Sequence, residues 1–281
     1  MTDFNDVRLT RPEGAGIGFQ VTAGVAAVRE TAEPDGRMVT HALHGEMLDV
    51  FLEEGEFGLC QLRRDRYVGW VNMDALAAPV LAPTHKVRAL RTYCFSEPGL
   101  KSAPRFMLCL GARVVATGRQ VGAWIQCDRA GWLYQHHLAS LTACETDPAG
   151  VAERYLETPY LWGGRESLGL DCSGLTQQAF EACGVQLPRD SDMQAAWAGA
   201  PVTDWQAPGA LQRGDLVFWN GHAGILTAPD TLLHANAYHL AVAREPLSAA
   251  IERIRMVEGE VTGVRRVSLA KAATPDWLTV A

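Results

Sequence analysis

Two glycine–tryptophan blocks, Gly69-Trp70-Val71 and Gly131-Trp132-Leu133, stand 62 residues apart, and each runs on to a leucine at the same distance, Leu76 and Leu138. That spacing confines each copy to a small unit. Upstream of each block lie short apolar runs broken by Gly, Pro and charged turns, with hardly any helical period, so antiparallel β-structure is predicted twice over. The clearest strands are 21–28, 46–52, 58–62 and 68–72 in the first copy and 87–90, 112–118, 123–127 and 131–134 in the second. Residues 77–84 (AAPVLAPT) hold two prolines and no charge, and are read as the linker. A chance coincidence of Gly-Trp pairs is the plainer alternative, but it leaves the matching strand patterns unexplained.

After Thr146 the pattern changes. Asp147 and Pro148 can serve as N-cap and first helical residue, with Val151, Ala152, Tyr155 and Leu156 on one face and a break at Pro159. A loop over 159–170 precedes a second helix, in which Cys172, Leu175, Ala179 and Cys183 recur at helical spacing before a stop at Gly184. Strands over 216–219, 222–226 and 231–236 follow, the first two joined by an Asn220-Gly221 turn. Helices first and an antiparallel sheet afterwards means α+β.

Composition narrows the partners. The 281 residues carry 32 acidic and 25 basic side chains, a formal net charge of -7, and no Lys/Arg cluster offers a footprint for phosphates. Nucleic acid is therefore not an expected partner. No apolar run approaches the ~18–20 residues of a membrane span, so no membrane partner is expected either. The first twelve residues lack both the basic and the apolar region of a secretory signal, which leads us to expect a cytoplasmic chain. Seven cysteines without metal-type spacing read as reduced thiols, most of them small buried hydrophobes. Neither a cofactor nor a metal is expected, and the sequence is silent on oligomeric state.

The chemistry centres on Cys172. It opens its helix directly after Asp171, where unsatisfied N–H groups and the positive dipole end favour an anion and should lower the thiol pKa. Cys172 also fits as the first residue of a buried stripe. The histidines favour the reactive reading: if a simple hairpin joins the last two strands, Leu226 faces Leu232, Gly224 faces His234 and His222 faces Asn236. His222 and His234 then form a diagonal pair on one face, close enough for two imidazoles to meet. Nucleophile, base and orienting group is the arrangement this implies. A metal site on the same three residues lacks any Cys-x-x-Cys or His-Glu-x-x-His spacing, and Asp171-Cys172-Ser173-Gly174 is no serine elbow.

Six blocks, in order, resemble the NlpC-type cysteine peptidases: Pro159-Tyr160-Leu161-Trp162-Gly163-Gly164, Asp171-Cys172-Ser173-Gly174-Leu175, Leu187-Pro188-Arg189-Asp190-Ser191, Gly214-Asp215-Leu216-Val217-Phe218-Trp219, Gly221-His222-Ala223-Gly224-Ile225 and Leu233-His234-Ala235. The two amino-terminal units are similar to the bacterial Src-homology-3-like domains that often precede that domain. The implied fold is α+β, a papain-like catalytic domain behind two small β-barrels, with barrels at 1–78 and 84–143, the peptidase domain at 147–267 and a tail at 268–281. The implied activity is cleavage of cell-wall (murein) stem peptides between γ-D-glutamate and a diamino acid.

On that resemblance Cys172 is the nucleophile, His222 the general base and then acid, and His234 the residue that orients His222. Tyr160 helps hold the oxyanion with the Cys172 N–H, and Asp171, Ser173 and Ser191 line the substrate groove, although cap and turn roles fit these three as well. Trp162 is either a groove wall or packing. Members that recycle released wall peptides read the free amine of L-alanine through an acidic residue and a tyrosine of the first barrel. Glu46 and Tyr67 fit that pattern here, and each also fits a solvent-exposed strand position. The competing functions are a wall-peptide binding protein with vestigial catalytic residues and a papain-like acyltransferase or amidase.

Overall fold

The computed structural model describes residues 4–270 and 275–279. The described chain divides into two compact units, one comprising residues 5–143 and the other the described residues from 144 onward together with Phe4.

In the amino-terminal unit the first copy is a seven-stranded antiparallel sheet: β1 (Ile17–Val21), β2 (Val25–Arg29), β3 (Met38–Leu43), β4 (Met47–Glu54), β5 (Phe57–Leu62), β6 (Val68–Asn72) and β7 (Leu76–Ala77), in the order β3-β2-β6-β5-β4-β1-β7. The second copy contains β8 (His85–Val87), β9 (Arg91–Phe95), β10 (Pro104–Cys109), β11 (Arg113–Val114), β12 (Ala116–Val121), β13 (Trp124–Cys127), β14 (Gly131–Tyr134) and β15 (Leu138–Ser140), split into a five-stranded and a three-stranded sheet. The 62-residue offset persists in three dimensions. Each Gly-Trp strand runs into a single 3-10 turn, Met73–Ala75 and Gln135–His137, and then into a short closing strand, β7 or β15.

Some strand boundaries differ from the sequence reading. Residues 21–28 form two strands rather than one, because the chain turns at Thr22-Ala23-Gly24; Thr22 and Ala23 donate to the carbonyl of Ala75. Residues 87–90 straddle the end of β8 and a bend before β9. Cys94 and Cys127 sit in the second copy's apolar core with Leu108 and Leu133, as small hydrophobes should.

Glu46 and Tyr67 are not exposed strand residues: they are 3% and 5% accessible and lie in the connections beside β4 and β6. The Glu46 carboxylate accepts the Leu43 N–H at 3.0 Å and stands 3.5 Å from the buried Arg64 guanidinium, which pairs with Asp65 at 2.7 Å. Asp65 in turn accepts the Tyr67 N–H at 3.2 Å. The reason they are buried is this partnered charge cluster, without which the desolvation cost would keep such residues at the surface.

The second unit opens with α1 (Pro148–Glu153), a two-strand ribbon of β16 (Arg165–Glu166) and β17 (Gly169–Leu170) inside the expected loop, α2 (Cys172–Ala182) and α3 (Ser191–Trp197). Then follow β18 (Ala200–Pro201), β19 (Leu216–Trp219), β20 (His222–Ala228), β21 (Thr231–Asn236), β22 (Ala241–Pro246), α4 (Leu247–Glu258) and β23 (Gly263–Arg266), and the helix α5 (Asp276–Thr279) comes last among the described residues. The six-stranded sheet has the order β18-β23-β19-β20-β21-β22. Helices precede and flank an antiparallel sheet, which makes the fold α+β. The tail, whose residues 270–281 are uninformative as sequence, supplies the buried Trp277, whose ring stacks on Trp197 at 6.4 Å; residues 271–274 and 280–281 lie outside the described chain.

Helix α2 is the centre of this unit. Residues Cys172 through Phe180 are all buried, polar ones included, so no face of its first two turns meets water. The polar side chains are satisfied across the core: Thr176 donates to Gln194 at 2.6 Å, Gln177 donates to the Leu187 carbonyl at 2.9 Å, and Gln178 donates to the Arg165 carbonyl. The helix stops as predicted, with Gly184 at φ +83 and the Val185 N–H returning to the Phe180 carbonyl at 3.0 Å.

Candidate active site

Cys172 is the first residue of α2, and its placement is set by Asp171. The Asp171 Oδ1 accepts from the Gly174 N–H at 2.7 Å and the Ser173 hydroxyl at 3.2 Å, and Oδ2 accepts from the Gly163 N–H at 2.9 Å. Arg189 closes the set with a two-pronged contact, Nη1 to Oδ1 at 3.0 Å and Nη2 to Oδ2 at 2.7 Å, and also donates to the Ser173 hydroxyl at 2.9 Å. One carboxylate thus caps the helix, pins the Gly163-Gly164 loop and neutralises a guanidinium that is 1% accessible. Gly174 has to be glycine, because a Cβ there would stand 2.2 Å from the Gly164 carbonyl oxygen. Arg189 was part of a sequence block but not among the expected site residues; only the fold brings it beside Asp171.

The histidines come from the sheet. Leu226 pairs with Leu232 and Ile225 with Leu233, the register expected, with a bulge between Leu226 and Ala228. His222 and His234 consequently share a face with Leu226 and Leu232, which pack with Leu247, Ala250 and Ile254 of α4. The two imidazoles meet, His222 Nε2 to His234 Nδ1 at 2.7 Å. Beside them Gly224 leaves the needed room: a Cβ would come within 3.2 Å of the His234 Cβ and 2.7 Å of a Leu232 methyl. The Cys172 thiol accepts from the backbone N–H of Ala223, next to His222 on β20.

Beyond His234 the chain of contacts continues to residues absent from the sequence expectation. His234 Nε2 lies 2.7 Å from Glu245 Oε1 on β22, and Arg253 of α4 donates to the same oxygen. The register pairs His234 with Ala243 and Leu232 with Glu245, so Glu245 is the diagonal neighbour of His234 on its own face.

Electrostatics overturn one expectation. Burial, reinforced by the Asp171 charge, pushes the Cys172 thiol up to about 12, although the Ala223 and Ser173 N–H groups and Arg189 act the other way. A helix start does not outweigh the loss of water around a buried sulfur. Burial likewise takes His222 down to about 3, with His234 and Arg253 adding to the effect. Both shifts favour a neutral thiol beside a neutral imidazole. Tyr160 is partly buried, its phenol shifted upward by burial and next by a thiolate charge on Cys172, which places its ring near the sulfur. Ser191 begins α3 and is 9% accessible, while Trp162 projects from the loop at 58%. Among the described residues no cluster of His, Cys, Asp and Glu has the form of a metal site.

A cysteine at the start of a buried helix, set beside a histidine pair on an antiparallel sheet, defines the class: a papain-like α+β fold. Residues 157–258 match the NlpC/P60 family, and residues 28–76 match the bacterial dipeptidyl-peptidase Sh3 domain. The chain thus holds a stretch similar to the NlpC/P60 family behind one similar to a bacterial Src-homology-3 domain.

Among known proteins, it is 32% identical over 111 residues to dipeptidyl-peptidase 6 of Lysinibacillus sphaericus, across 38% of this chain and 40% of that one. It is 37% identical over 102 residues to the gamma-D-glutamyl-L-lysine dipeptidyl-peptidase of Bacillus subtilis strain 168, across 31% and 32%. The aligned stretches thus span less than half of these curated relatives. A crystal structure of an NlpC/P60 family protein from Bacillus cereus ATCC 10987 superposes with a TM-score of 0.74 at 18% identity, over 89% of this chain and 99% of that one, so the fold is shared. No helix among the described residues is long and apolar enough to cross a membrane.

Proposed function

We propose that the chain is a cysteine endopeptidase that hydrolyses the bond between γ-D-glutamate and a diamino acid in cell-wall stem peptides. The observation that carries this is the His222–His234 pair at 2.7 Å, seated one residue from the N–H that holds the Cys172 thiol. The activity named for the Bacillus subtilis relative supports the choice of bond.

In this reading the thiol proton passes to His222 as sulfur attacks the γ-carbonyl carbon of D-glutamate. The resulting oxyanion is held by the Cys172 N–H and Tyr160. Collapse breaks the C–N bond, and His222 returns the proton to the departing amine of the diamino acid. Water, deprotonated by the same histidine, then attacks the thioester, which regenerates the thiol and frees the dipeptide. His234 orients His222, and Arg189, Asp171 and Ser173 hold the nucleophile's helix start. Ser191 and Trp162 are assigned to the groove by family resemblance, and Glu46 and Tyr67 to the amine of an N-terminal L-alanine. With that preference goes a role in recycling released wall peptides, a cytoplasmic site of action, and the division into barrels at 1–78 and 84–143, a peptidase domain at 147–267 and a tail.

Incubation with L-Ala-γ-D-Glu-diaminopimelate followed by mass analysis tests the reading. Dipeptide release that disappears in Cys172→Ala is expected; an unchanged peptide points to a binding protein, and a product bearing a new acceptor to an acyltransferase. The N-acetylated peptide should be cleaved at least ~100-fold more slowly, about 2.7 kcal/mol in the transition state, and equal rates would remove Glu46 and Tyr67 from substrate recognition. Cell fractionation tests the location.

A further inference from the structure

A neutral imidazole has one N–H and one bare nitrogen, so a contact between two of them can run in either direction. The His222 Nε2 to His234 Nδ1 contact has no polarity of its own. If His234 donates, His222 keeps its proton on Nδ1 and cannot take one from the thiol. If His222 donates, its Nδ1 is bare and basic. Something outside the pair has to choose.

That something is at the far end. A carboxylate only accepts, and Glu245 Oε1 lies 2.7 Å from His234 Nε2, so that nitrogen must carry the proton. His234 Nδ1 is then the acceptor, His222 Nε2 the donor, and His222 Nδ1 the free base. We propose that Glu245 is the positioning residue of this site, fixing the tautomers of His234 and, through it, His222; the proposal builds on the cysteine-peptidase reading.

The surroundings support an ionised, immobile Glu245. Its carboxyl is held below the usual range by the His234 hydrogen bond and by the charge of Arg253. Arg253 is itself fixed, its guanidinium carbon 4.3 Å from the centre of the Tyr238 ring. Burial keeps His234 neutral despite the carboxylate, so the chain starts from an imidazole and not an imidazolium. The ionisable groups around this line are His222 on β20, Cys172 on α2, Arg253 on α4 and His239 in the turn after β21. Acid reverses the line: a second proton on His234 goes to Nδ1, which then donates to His222 and drives its proton onto the base nitrogen. Loss of activity in acid therefore belongs to His234 and Glu245 together.

The test uses the full chain, 15N-labelled, as wild type, Glu245→Gln and Glu245→Leu. Long-range ring 15N correlations at neutral pH should give the Nε2–H form for both His222 and His234 in the wild type. Glu245→Gln keeps an acceptor oxygen under Arg253 but no charge; it should keep both tautomers and move the acid limb of kcat/KM by about half a pH unit to lower pH. Glu245→Leu should mix the tautomers and lower kcat at least ~10-fold with KM nearly unchanged. Wild-type tautomers with full kcat in the Leu variant, or an acid limb unmoved in the Gln variant, would overturn the proposal. A wild-type enzyme that leaves the peptide intact refutes the peptidase reading instead, and the ring 15N shifts still decide the tautomers.

Discussion

Replacing Arg189 by Met should be the most damaging single change outside the reacting residues. The side chain fits the space, so the loss is electrostatic: Asp171 keeps its bonds from Gly163, Gly174 and Ser173 but loses two charge-assisted ones, at 3.0 and 2.7 Å. Removing one partner of a buried pair typically costs about 3–5 kcal/mol, because the survivor stays desolvated. At about 3 °C per kcal/mol for a unit of this size, the thermal transition of the carboxy-terminal unit should fall by about 9–15 °C. The same charge lowers the Cys172 thiol, so its removal should also slow the enzyme. Chemical denaturation of Arg189→Met, Asp171→Asn and the double variant reads the coupling, and the double variant should be less harmed than the sum of the singles. Additive effects, or a loss under ~1 kcal/mol, would refute the idea that this pair holds the helix start.

Three further outcomes are expected. His222 is depressed to about 3, against about 6.5 when unfolded; the unfolded chain takes up the proton first, so stability is complete above pH 6.5 and falls as pH drops below it. Denaturation at pH 4.5 should give about 2.5 kcal/mol less than at pH 7, and His222→Asn should flatten that difference. The rate of iodoacetamide labelling at Cys172 should keep rising beyond pH 9, since a thiol near 12 gains thiolate throughout that range; a rate constant from pH 6 to 9 would mean a resting thiolate–imidazolium pair. Gly224→Ala should cost about 1–3 kcal/mol and lower kcat roughly tenfold by pushing His234 off its partner, with stability and turnover measured on one preparation; unchanged turnover would place the histidine pair under looser control than its packing implies.

Much of the site was legible because its signals are local. Asn220-Gly221 and Gly184 punctuate β19, β20 and α2, and a period of two puts His222 and His234 on one face once the turn is placed. Glu245 was not legible for a reason of range: β22 reads Ala-Val-Ala-Arg-Glu-Pro, poor in strand formers, and is a strand because it pairs with β21. Arg189 sits in a recognised block, yet its meaning is a contact 18 positions away with Asp171. The direction of the Cys172 shift was missed because dipole and capping are visible in a sequence, whereas complete burial is a property of the packed core.

The repeated Gly-Trp units have a consequence for how such chains are assembled. The two halves are joined by more than their linker: the Arg113 N–H donates to the His44 carbonyl at 2.8 Å, and Arg129 reaches back to Gln20 at 3.1 Å. Gly45 and Gly24 admit this approach, since a Cβ would stand 2.0 Å from the Arg113 carbonyl oxygen or 2.4 Å from that of Met107. Two halves in contact like this are not two portable modules. Each half packs directly against the other, so the two should melt together and tolerate exchange only as a pair.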